Sequence, residues 1–385
     1  MRFEFASPTH IIFGPGIILE VGPLAAEMGK HAFVVTGKNL KRAEPLLKEL
    51  NKHGIEYVTF CVSGEPTTKI AKTGVEKARQ AKSDLVIGIG GGSALDTGKV
   101  VSAMLTNSGE LEDYLEVVGK GKPLTKRPVP YIAIPTTAGT GAEVTRNAVL
   151  GVPEHQVKVS LRSALLPARV AIIDPELTHS MSPSITTSTG LDALTQLMEA
   201  YVSIKANPLT DGICREGIIR ASRSLRQAYE DGSNSAARED MALASVFSGL
   251  ALANAKLGAV HGFAGPLGGM ICAPHGTICA RLLPYVIETN VQALKERASS
   301  SPSLARYGEI AKLISEVTEK TVDGLVKWVQ NICSVLKVPP LSEFGLKESD
   351  FQTVVAKSQK SSSMKGNPIT LTDDELTAIL EKANS

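Results

Sequence analysis

The first 180 residues alternate short apolar runs with stretches that have helical spacing. Five runs have the length and composition of buried strands: Ala32–Thr36, Tyr57–Val62, Leu85–Ile89, Tyr131–Ile134 and Val170–Ile173. Amphipathic stretches such as Thr68–Ser83, with apolar residues on one helical face, separate the first three runs. Buried strands that alternate with helices form parallel sheets covered on both faces. The pattern predicts an α/β domain with a parallel, Rossmann-like sheet.

The pattern changes near Asp174–Pro175, and after Ser182–Pro183 no run has the character of a strand. Long stretches with a period of 3.6 residues follow instead: 187–203, 211–230, 235–256, 304–336 and 372–383. Such stretches predict an all-α second domain. We therefore expect a dinucleotide-binding α/β domain at residues 1–180 and a helical metal and substrate domain at residues 181–385.

Charge and cysteine content restrict the partners and the compartment. The 385 residues are 43% hydrophobic and carry a formal net charge of +2, too balanced to favour nucleic acid or an anionic membrane. The five cysteines are odd in number and include no CxxC pair, which fits a reducing compartment. The N-terminus has no apolar signal region, and no apolar run could span a bilayer. We expect a cytoplasmic protein.

Two polar loops follow apolar runs in the first half. Glycines in the first loop, residues 88–99 (GIGGGSALDTGK), would let the backbone approach a phosphate, although a tight strand-to-helix turn needs the same residues. It is not a P-loop, because Val100 replaces the required Ser or Thr. The second loop, residues 135–143 (PTTAGTGAE), suits a phosphate, a ribose or simply a helix cap. Two such loops in one α/β domain favour a nucleotide.

Four residues of the second half could form a metal site. His261 and His275 are its only histidines, and both stand in glycine-rich surroundings. Asp192 lies in an apolar stretch, where a buried carboxylate is costly without a partner. Gln196 follows four residues later on the same helix face. One Asp, one amide oxygen and two imidazoles could hold a divalent metal, or the four could be hydrogen-bonded residues of a structural core.

Taken together, these motifs resemble the iron-containing (group III) alcohol dehydrogenase family over essentially the whole chain. The landmarks are FGPG at 13–16, VVTGK at 34–38, GGGSALDTGK at 90–99, PTTAGTGAEVT at 135–145, GLDALTQ at 190–196 and HGFAGPLGGMICAPHG at 261–276. The resemblance implies a dehydroquinate synthase-like fold, with an α/β dinucleotide-binding domain, a helical domain and an active site in the cleft between them.

The resemblance also implies roles for individual residues. The implied cofactor contacts are Gly37, Lys38, Gly90, Gly91, Gly92, Ser93, Asp96, Thr136, Thr137 and Lys158. Asn147 is expected near the substrate. The usual metal ligands of the family are one Asp and three His, and Asp192, His261 and His275 match three of them. We expect these three to be catalytic, with Gln196 as the fourth metal ligand.

Three positions depart from the family pattern. Gln196 replaces a His, and a neutral carboxamide oxygen should weaken binding of Fe²⁺ or Zn²⁺ and change selectivity. Gly265 stands where many members have a His close to the nicotinamide. Gly37 replaces the Asp with which strict NAD users bind the ribose, so nothing there repels a 2′-phosphate. Because Lys38, Lys41 and Arg42 are nearby in sequence, we expect use of NADP(H), or of both cofactors.

The expected function is hydride transfer between NAD(P)(H) and a small-molecule alcohol, aldehyde or ketone. One alternative is a metal-free reductase like the maleylacetate reductases: Gln196 and Gly265 favour it, and Asp192 argues against it. A cyclising lyase like dehydroquinate synthase and a non-catalytic nucleotide-binding protein are further alternatives. We also expect a homodimer or a higher homo-oligomer, because the FEFAS…IIFG segment (3–14) could pair as an edge strand.

Overall fold

The computed structural model describes residues 2–155 and 157–385, which form two compact units. The α/β unit comprises Ala6–Thr137 and Gly141–Ser180. The helical unit comprises Met181–Ser385, Ala138–Thr140 and the described residues up to Phe5. We continue to propose residues 1–180 and 181–385 as the functional domains.

Eight strands lie among the described residues of the α/β unit. They are β1 (His10–Phe13), β2 (His31–Thr36), β3 (Glu56–Cys61), β4 (Leu85–Gly90), β5 (Tyr131–Pro135), β6 (Asn147–Val152), β7 (Val157–Arg162) and β8 (Val170–Ile173). Six of them form a parallel sheet in the order β1-β8-β5-β4-β2-β3. β6 and β7 form a separate antiparallel pair. The predicted parallel sheet is confirmed, and all five predicted strands belong to it.

Helices cover both faces of this sheet. They are α1 (Val21–Ala26), α2 (Glu44–Lys52), α3 (Thr68–Gln80) and α4 (Gly92–Thr106). Phe33 and Val35 belong to one apolar cluster, whereas Val34 between them belongs to another. Successive side chains of a strand point to opposite faces, so β2 is buried on both sides. This double burial explains why its sequence is a continuous apolar run.

The strand order creates a crevice at one edge of the sheet. From β2 the chain proceeds to β3 at the end of the sheet, then returns past β2 to β4 and continues to β5. The loops that follow β2 and β4 therefore diverge. In open α/β sheets, such a topological switch point is where ligands bind, outside the carboxyl ends of the strands.

The helical unit contains nine helices among its described residues. They are α5 (Pro183–Val202), α6 (Pro208–Glu230), α7 (Ser235–Ala255), α8 (Ala259–Met270), α9 (His275–Arg297), α10 (Pro302–Leu313), α11 (Val322–Val335), α12 (Phe351–Gln359) and α13 (Asp373–Asn384). Every residue from Gly190 to Val202 of α5 is buried. Since α5 is enclosed on all sides, any polar side chain of this segment must find its partners inside the unit. The prediction of a helical second half is confirmed.

The prediction of one continuous helical stretch at residues 304–336 was wrong. Residues 304–336 form two helices, α10 and α11, instead of one. The Lys320 ammonium donates a hydrogen bond to the Ile314 carbonyl oxygen at 2.6 Å just after α10 ends. The Thr321 hydroxyl accepts a hydrogen bond from the Gly324 amide and caps the start of α11. These capping contacts interrupt a stretch whose periodicity continues on both sides.

None of the helices within the described residues is, on its own, both long and apolar enough to cross a membrane. Taken together, α7 and α8 meet the length and composition for a span, but the chain bends by 100° between them.

Candidate cofactor and metal sites

A cavity of about 210 Å³ lies at the switch point of the α/β unit. It is lined by the carboxyl ends of β2 and β4 and the segments after them, with one residue that directly follows β5. These are Thr36, Gly37, Lys38, Asn39, Arg42, Ala43, Ile89, Gly90, Gly91 and Thr136. Five of the predicted cofactor residues, Gly37, Lys38, Gly90, Gly91 and Thr136, thus share one cavity in the location where doubly wound sheets bind nucleotides.

Gly90, at the carboxyl end of β4, lies close to Gly37, which follows β2, in this cavity. A Cβ atom at Gly90 would lie 2.8 Å from the Ala94 Cβ and 3.2 Å from the Gly37 backbone nitrogen. Any side chain would therefore fill the space between the two loops. Gly91 is the N-cap residue of α4, so the start of this helix has no side-chain cap. An uncapped helix start behind glycines leaves room for an anion such as a pyrophosphate.

The other predicted cofactor residues lie around this cavity in different ways. Gly92 and Ser93 form the half-buried first turn of α4. The Thr137 hydroxyl is within 3.4 Å of where a Cβ of Gly91 would stand, so it faces the glycine loop. Asp96 and Lys158 do not line the cavity. The Lys158 ammonium lies 3.1 Å from the Glu65 carboxylate instead.

Asp96 belongs to a buried polar network beside the predicted substrate residue. Its carboxylate accepts hydrogen bonds from the Lys99 ammonium at 3.2 Å and the Val149 amide at 3.0 Å. Lys99 also donates to the Asn147 carbonyl oxygen at 2.7 Å and to the Thr145 hydroxyl at 2.8 Å. The Asn147 amide oxygen is buried and has no hydrogen-bond partner among the described residues. It is therefore available to a ligand.

In the helical unit, three of the four predicted metal residues meet, joined by a residue that was not predicted. The donor atoms of Asp192, His261, His275 and Cys279 all lie within 4.8 Å of one another. The Asp192 Oδ1 atom is 3.2 Å from the His261 Nε2 atom and 3.8 Å from the His275 Nε2 atom. The Cys279 sulfur is 3.7 and 3.8 Å from those two nitrogens.

Three helices bring these residues together. Asp192 comes from α5 and His261 from the first turn of α8. His275 is the first residue of α9, and Cys279 lies one turn later on the same face. A Cβ atom at Gly276 would lie 1.9 Å from the Ser188 carbonyl oxygen. Only glycine lets α9 approach α5 so closely, and this approach places His275 beside Asp192.

Glu199, two turns after Asp192 on α5, orients His261. Its carboxylate accepts hydrogen bonds from the His261 Nδ1 atom at 2.6 Å and the Val260 amide at 2.7 Å. With Nδ1 directed at Glu199, the Nε2 atom faces Asp192 and Cys279, where a metal that displaces its proton can bind. Metal-binding histidines are commonly oriented by a carboxylate in this way.

The charges of the cluster favour a cation. Burial alone would lower the pKa of His261, but interactions with Cys279, Asp192 and Glu199 outweigh it and hold that pKa well above the usual value. Burial also pushes the pKa of Asp192 up, yet the charge of His275 and the hydrogen bond to His261 keep it below the usual value. A site that stabilises positive charge so strongly suits a divalent ion, which would displace the protons.

Gln196 lies beside this cluster. Its side-chain nitrogen donates a hydrogen bond to Asp192 Oδ2 at 3.1 Å. Its amide oxygen is buried and has no hydrogen-bond partner among the described residues. A buried, unpaired oxygen next to a carboxylate and two imidazoles is a further candidate donor for a metal. The residues present therefore fit a divalent metal. Gly265, another of the three positions that depart from the family pattern, lies in α8 with open space where a side chain would be.

Comparison with known proteins identifies the family. The model for iron-containing alcohol dehydrogenase matches residues 8–175, and the model for the C-terminal part of the Fe-containing alcohol dehydrogenase family matches residues 186–384. The chain belongs to the iron-containing alcohol dehydrogenase family. The resemblance expected from the sequence is thereby confirmed, and the protein is an oxidoreductase of the alcohol dehydrogenase type.

Similar proteins align with this alcohol dehydrogenase over nearly its full length. Long-chain-alcohol dehydrogenase 1 of Geobacillus thermodenitrificans (strain NG80-2) is 37% identical, with 99% of this chain and 96% of the relative covered. The crystal structure of 1,3-propanediol oxidoreductase superimposes with a TM-score of 0.92 at 34% identity, covering 100% of both chains. Sulfoacetaldehyde reductase from Bifidobacterium kashiwanohense, solved in complex with NAD⁺, has a TM-score of 0.88 at 29% identity, covering 100% and 99%.

Sequence reasoning missed Cys279 and Glu199. Cys279 follows His275 by four residues, the spacing of one helix face, but the signal requires knowing that a helix begins after Pro274. Glu199 follows Asp192 by seven residues on an apolar helix. Because it is the third polar residue on that helix face, after Asp192 and Gln196, its position could have indicated a role in the site.

Proposed function

We propose that the protein is an NAD(P)-dependent alcohol dehydrogenase or aldehyde reductase with a divalent metal in the helical unit. The observation that carries this proposal is the cluster of Asp192, His261 and His275, whose donor atoms lie within 4.8 Å of one another. The unpaired amide oxygen of Gln196 beside them supports its proposed role as a further ligand. A divalent metal held there would act as a Lewis acid on the substrate oxygen, Fe²⁺ and Zn²⁺ being the proposed ions.

The cavity of the α/β unit is the proposed binding place of the nicotinamide cofactor, which supplies the hydride chemistry itself. Gly90, Gly91, Gly92 and Ser93 would let the pyrophosphate approach the start of α4, with Thr136 and Thr137 donating from the loop after β5. Asp96 and Lys158 are proposed contacts at a greater distance from the cavity. The complex of the related sulfoacetaldehyde reductase with NAD⁺ supports a nicotinamide dinucleotide as the ligand.

The residues around the proposed ribose position support the use of NADP(H), or of both cofactors. Gly37 contributes no carboxylate there, and Lys38 and Arg42 are among the lining residues. Their positive charges would attract a 2′-phosphate. The Arg42 guanidinium is anchored by donating a hydrogen bond to the Ser180 carbonyl oxygen at 2.8 Å.

The side chains of the helical unit would hold and orient the reacting groups. Glu199 accepts a hydrogen bond from His261 Nδ1, so that the Nε2 atom of the same ring can bind the metal. Asp192 supplies the negative charge that the cation needs. In the α/β unit, Asn147 is the proposed substrate contact, because its buried amide oxygen has no partner among the described residues. A small alcohol or carbonyl compound is the proposed substrate class.

We also propose that the protein works in the cytoplasm as a homodimer or a higher homo-oligomer. All five cysteines are free, as expected in a reducing compartment. β1 is an edge strand of the parallel sheet, with β8 on its one paired side. An unpaired edge of this kind can be covered by a second copy. A monomer in light scattering at micromolar concentration would exclude this assembly.

A second candidate is a metal-free reductase of the maleylacetate-reductase type. One observation favours it: the Gln196 amide nitrogen already bonds to Asp192, and His261 bonds to Asp192 and Glu199, so the cluster satisfies much of its own hydrogen bonding. In that enzyme, His261 and His275 would donate protons or anchor the substrate.

One preparation can decide between the two candidates. We would measure its metal content and its NADPH- and NADH-dependent reduction of small aldehydes before and after chelator treatment. Activity that disappears with the metal and returns on adding Fe²⁺, Zn²⁺ or Mn²⁺ supports the metal-dependent function. Activity that persists without metal favours the second candidate. For the metal-dependent enzyme, His261→Ala and His275→Ala should abolish turnover while the far-ultraviolet circular dichroism stays unchanged.

A further inference from the structure

The cluster of the helical unit contains a thiol that the proposed function does not use. Cys279 is fully buried, and its sulfur is 3.7 Å from the His261 Nε2 atom and 3.8 Å from the His275 Nε2 atom. Its sulfur also interacts with the Asp192 carboxyl group. The thiol therefore faces the same point as the three predicted metal ligands. The other two buried cysteines, Cys214 and Cys333, are not part of the cluster.

The distances between these donor atoms suit one tetrahedral ion. With metal–nitrogen and metal–oxygen bonds of about 2.0–2.1 Å and a metal–sulfur bond of about 2.3 Å, adjacent donors of a tetrahedron are about 3.3–3.6 Å apart. The two Nε2 atoms of His261 and His275 lie 3.2 and 3.8 Å from the Asp192 Oδ1 atom and 3.7 and 3.8 Å from the Cys279 sulfur, and all four donor atoms lie within 4.8 Å of one another. Small side-chain adjustments would complete the tetrahedron.

Cys279 is better placed for this role than Gln196. The atom by which Gln196 contacts Asp192 is its amide nitrogen, which cannot bind a metal, and its oxygen is the unpaired atom. Gln196 would have to turn its amide to become a close ligand in place of that hydrogen bond. Cys279 already presents its sulfur to both imidazoles.

We propose that the Cys279 thiolate is the fourth protein ligand of the metal, so that the site is an Asp-His-His-Cys set that prefers Zn²⁺ to Fe²⁺. The proposal rests on the proposed function but assigns the position of the missing third imidazole to Cys279 instead of Gln196. On binding, the sulfur–metal bond forms, the S–H bond breaks and the proton passes to solvent. A thiolate is a softer donor than an amide oxygen and favours zinc, which can expand to five-coordinate when a substrate oxygen binds.

Cobalt substitution tests this ligand without measuring activity. The full-length protein is freed of metal with a chelator and titrated with Co²⁺ without oxygen, while the near-ultraviolet absorption is recorded. A thiolate ligand produces a sulfur-to-cobalt charge-transfer band. We expect the band in the wild type and in Cys333→Ser, a control in which the serine hydroxyl can still donate to the Ala280 carbonyl oxygen, as the Cys333 thiol does. Cys279→Ser should lose the band and bind Co²⁺ at least about tenfold more weakly.

Several outcomes overturn the proposal. A wild-type Co²⁺ complex without the band, or a band that survives in Cys279→Ser, would show that the thiol is not a ligand. Should Cys279→Ser fail to fold, X-ray absorption of the Zn²⁺-loaded wild type decides, since a thiolate ligand adds one sulfur at about 2.3 Å. A spectrum with only nitrogen and oxygen neighbours contradicts the proposal.

The same experiments separate this inference from the proposed function. A metal-loaded protein that shows the band but reduces no aldehyde with NADPH or NADH would contradict the proposed function and leave Cys279 as a ligand. A protein that is active with Co²⁺ but shows no band would contradict only the role of Cys279. A wild type that binds no Co²⁺ contradicts both the ligand role and the metal-dependent function.

Discussion

At the scale of single residues, one buried carboxyl group makes the stability of the α/β unit depend on pH. Glu143 is buried, its Oε1 atom has no partner among the described residues, and burial raises its pKa to about 7 from 4.5. Between these two values the unfolded chain loses the proton while the folded protein keeps it, so stability falls as the pH rises. Above pH 7 the loss in the free energy of unfolding stays constant at about 3 kcal/mol.

Glu143→Gln removes this titration. We expect the free energy of unfolding of the variant, relative to the wild type, to increase from pH 4.5 to pH 7 and then to level off. Denaturant unfolding of both proteins at several pH values measures it. The buried amide adds an offset that does not depend on pH, so the slope is the readout. Parallel curves for the two proteins across this range would contradict the assignment.

Gly37 offers a test of the cofactor preference. A Cβ atom there would meet no other atom within 4 Å, so a side chain fits. The carboxylate of Gly37→Asp should repel a 2′-phosphate, and we expect the ratio of kcat/KM for NADPH to that for NADH to fall by about tenfold or more. Gly37→Asn has the same size without the charge and serves as the control. Equal ratios in the Asp and Asn variants would exclude a phosphate at this position.

Some site residues could be predicted from the sequence, and others could not. Asp192 and the two histidines have chemically distinctive side chains in unusual surroundings, so composition and spacing pointed to them. Cys279 and Glu199 could not be recognised in this way, because they belong to the site only through the packing of the helices that carry them. The three helices that join them are far apart in sequence, and no local pattern states which of their faces meet.

At the scale of elements, the contact of α5 and α9 depends on one glycine. The methyl group of Gly276→Ala would lie 1.9 Å from the Ser188 carbonyl oxygen and 3.0 Å from the Asp192 Cβ atom. The helices must move apart, and we expect a loss of about 1–3 kcal/mol or more in stability together with weaker metal binding. Gly265→Ala is the matched control, because its methyl group meets open space.

The two alanine variants should differ in sign. Replacing a helical glycine without a clash stabilises by about 0.5–1 kcal/mol, so Gly265→Ala should unfold at a higher denaturant concentration than the wild type. Gly276→Ala should unfold at a lower one. Zn²⁺ affinity measured on the same proteins should fall only for Gly276→Ala. Equal stability of the two variants would mean that α9 does not need this close approach.

Glu199 joins α5 to the start of α8. Its carboxylate accepts from the Val260 amide and from His261 Nδ1, so it caps one helix and orients a ligand on it. Glu199→Gln keeps the size but loses the charge, and we expect Zn²⁺ affinity to fall about 10- to 100-fold. The same change at Glu288, an exposed residue paired with Lys382, is the control. Competition with a chromophoric chelator measures both, and unchanged affinity in Glu199→Gln would exclude the orienting role.

Periodicity identified most elements but not those rich in glycine. The sheet strands β2, β4, β5 and β8 are apolar runs because both of their faces are buried, whereas the edge strand β3 is largely exposed. Residues 259–297 form α8 and α9, although Pro266 and several glycines disguise the helical period. The β6–β7 pair was also missed, because β6 alternates between half-buried and buried residues, unlike the sheet strands. In these segments tertiary contacts, rather than local preference, decide the structure.

At the scale of the whole molecule, the two halves of the sequence have different periodicities and fold as an α/β unit and a helical unit. A change of period is visible without knowledge of any contact, which is why the fold class could be predicted. The boundary between the two family models coincides with this change of period, since one model ends at residue 175 and the next begins at residue 186. Each unit then contains its own proposed ligand site, so each ligand should stabilise its own unit.

Hydrogen exchange tests this division. At a hundredfold excess over its dissociation constant, a ligand stabilises the state that binds it by about 2.7 kcal/mol. We expect NADPH to slow exchange of amides in residues 85–106, and Zn²⁺ to slow those in 186–200 and 259–285, by up to about a hundredfold. Mg²⁺, which prefers oxygen ligands, is the control and should protect neither segment of the helical unit. If Zn²⁺ slowed exchange in residues 85–106 and left residues 186–200 unchanged, the metal would bind the α/β unit, which would contradict the proposed site in the helical unit.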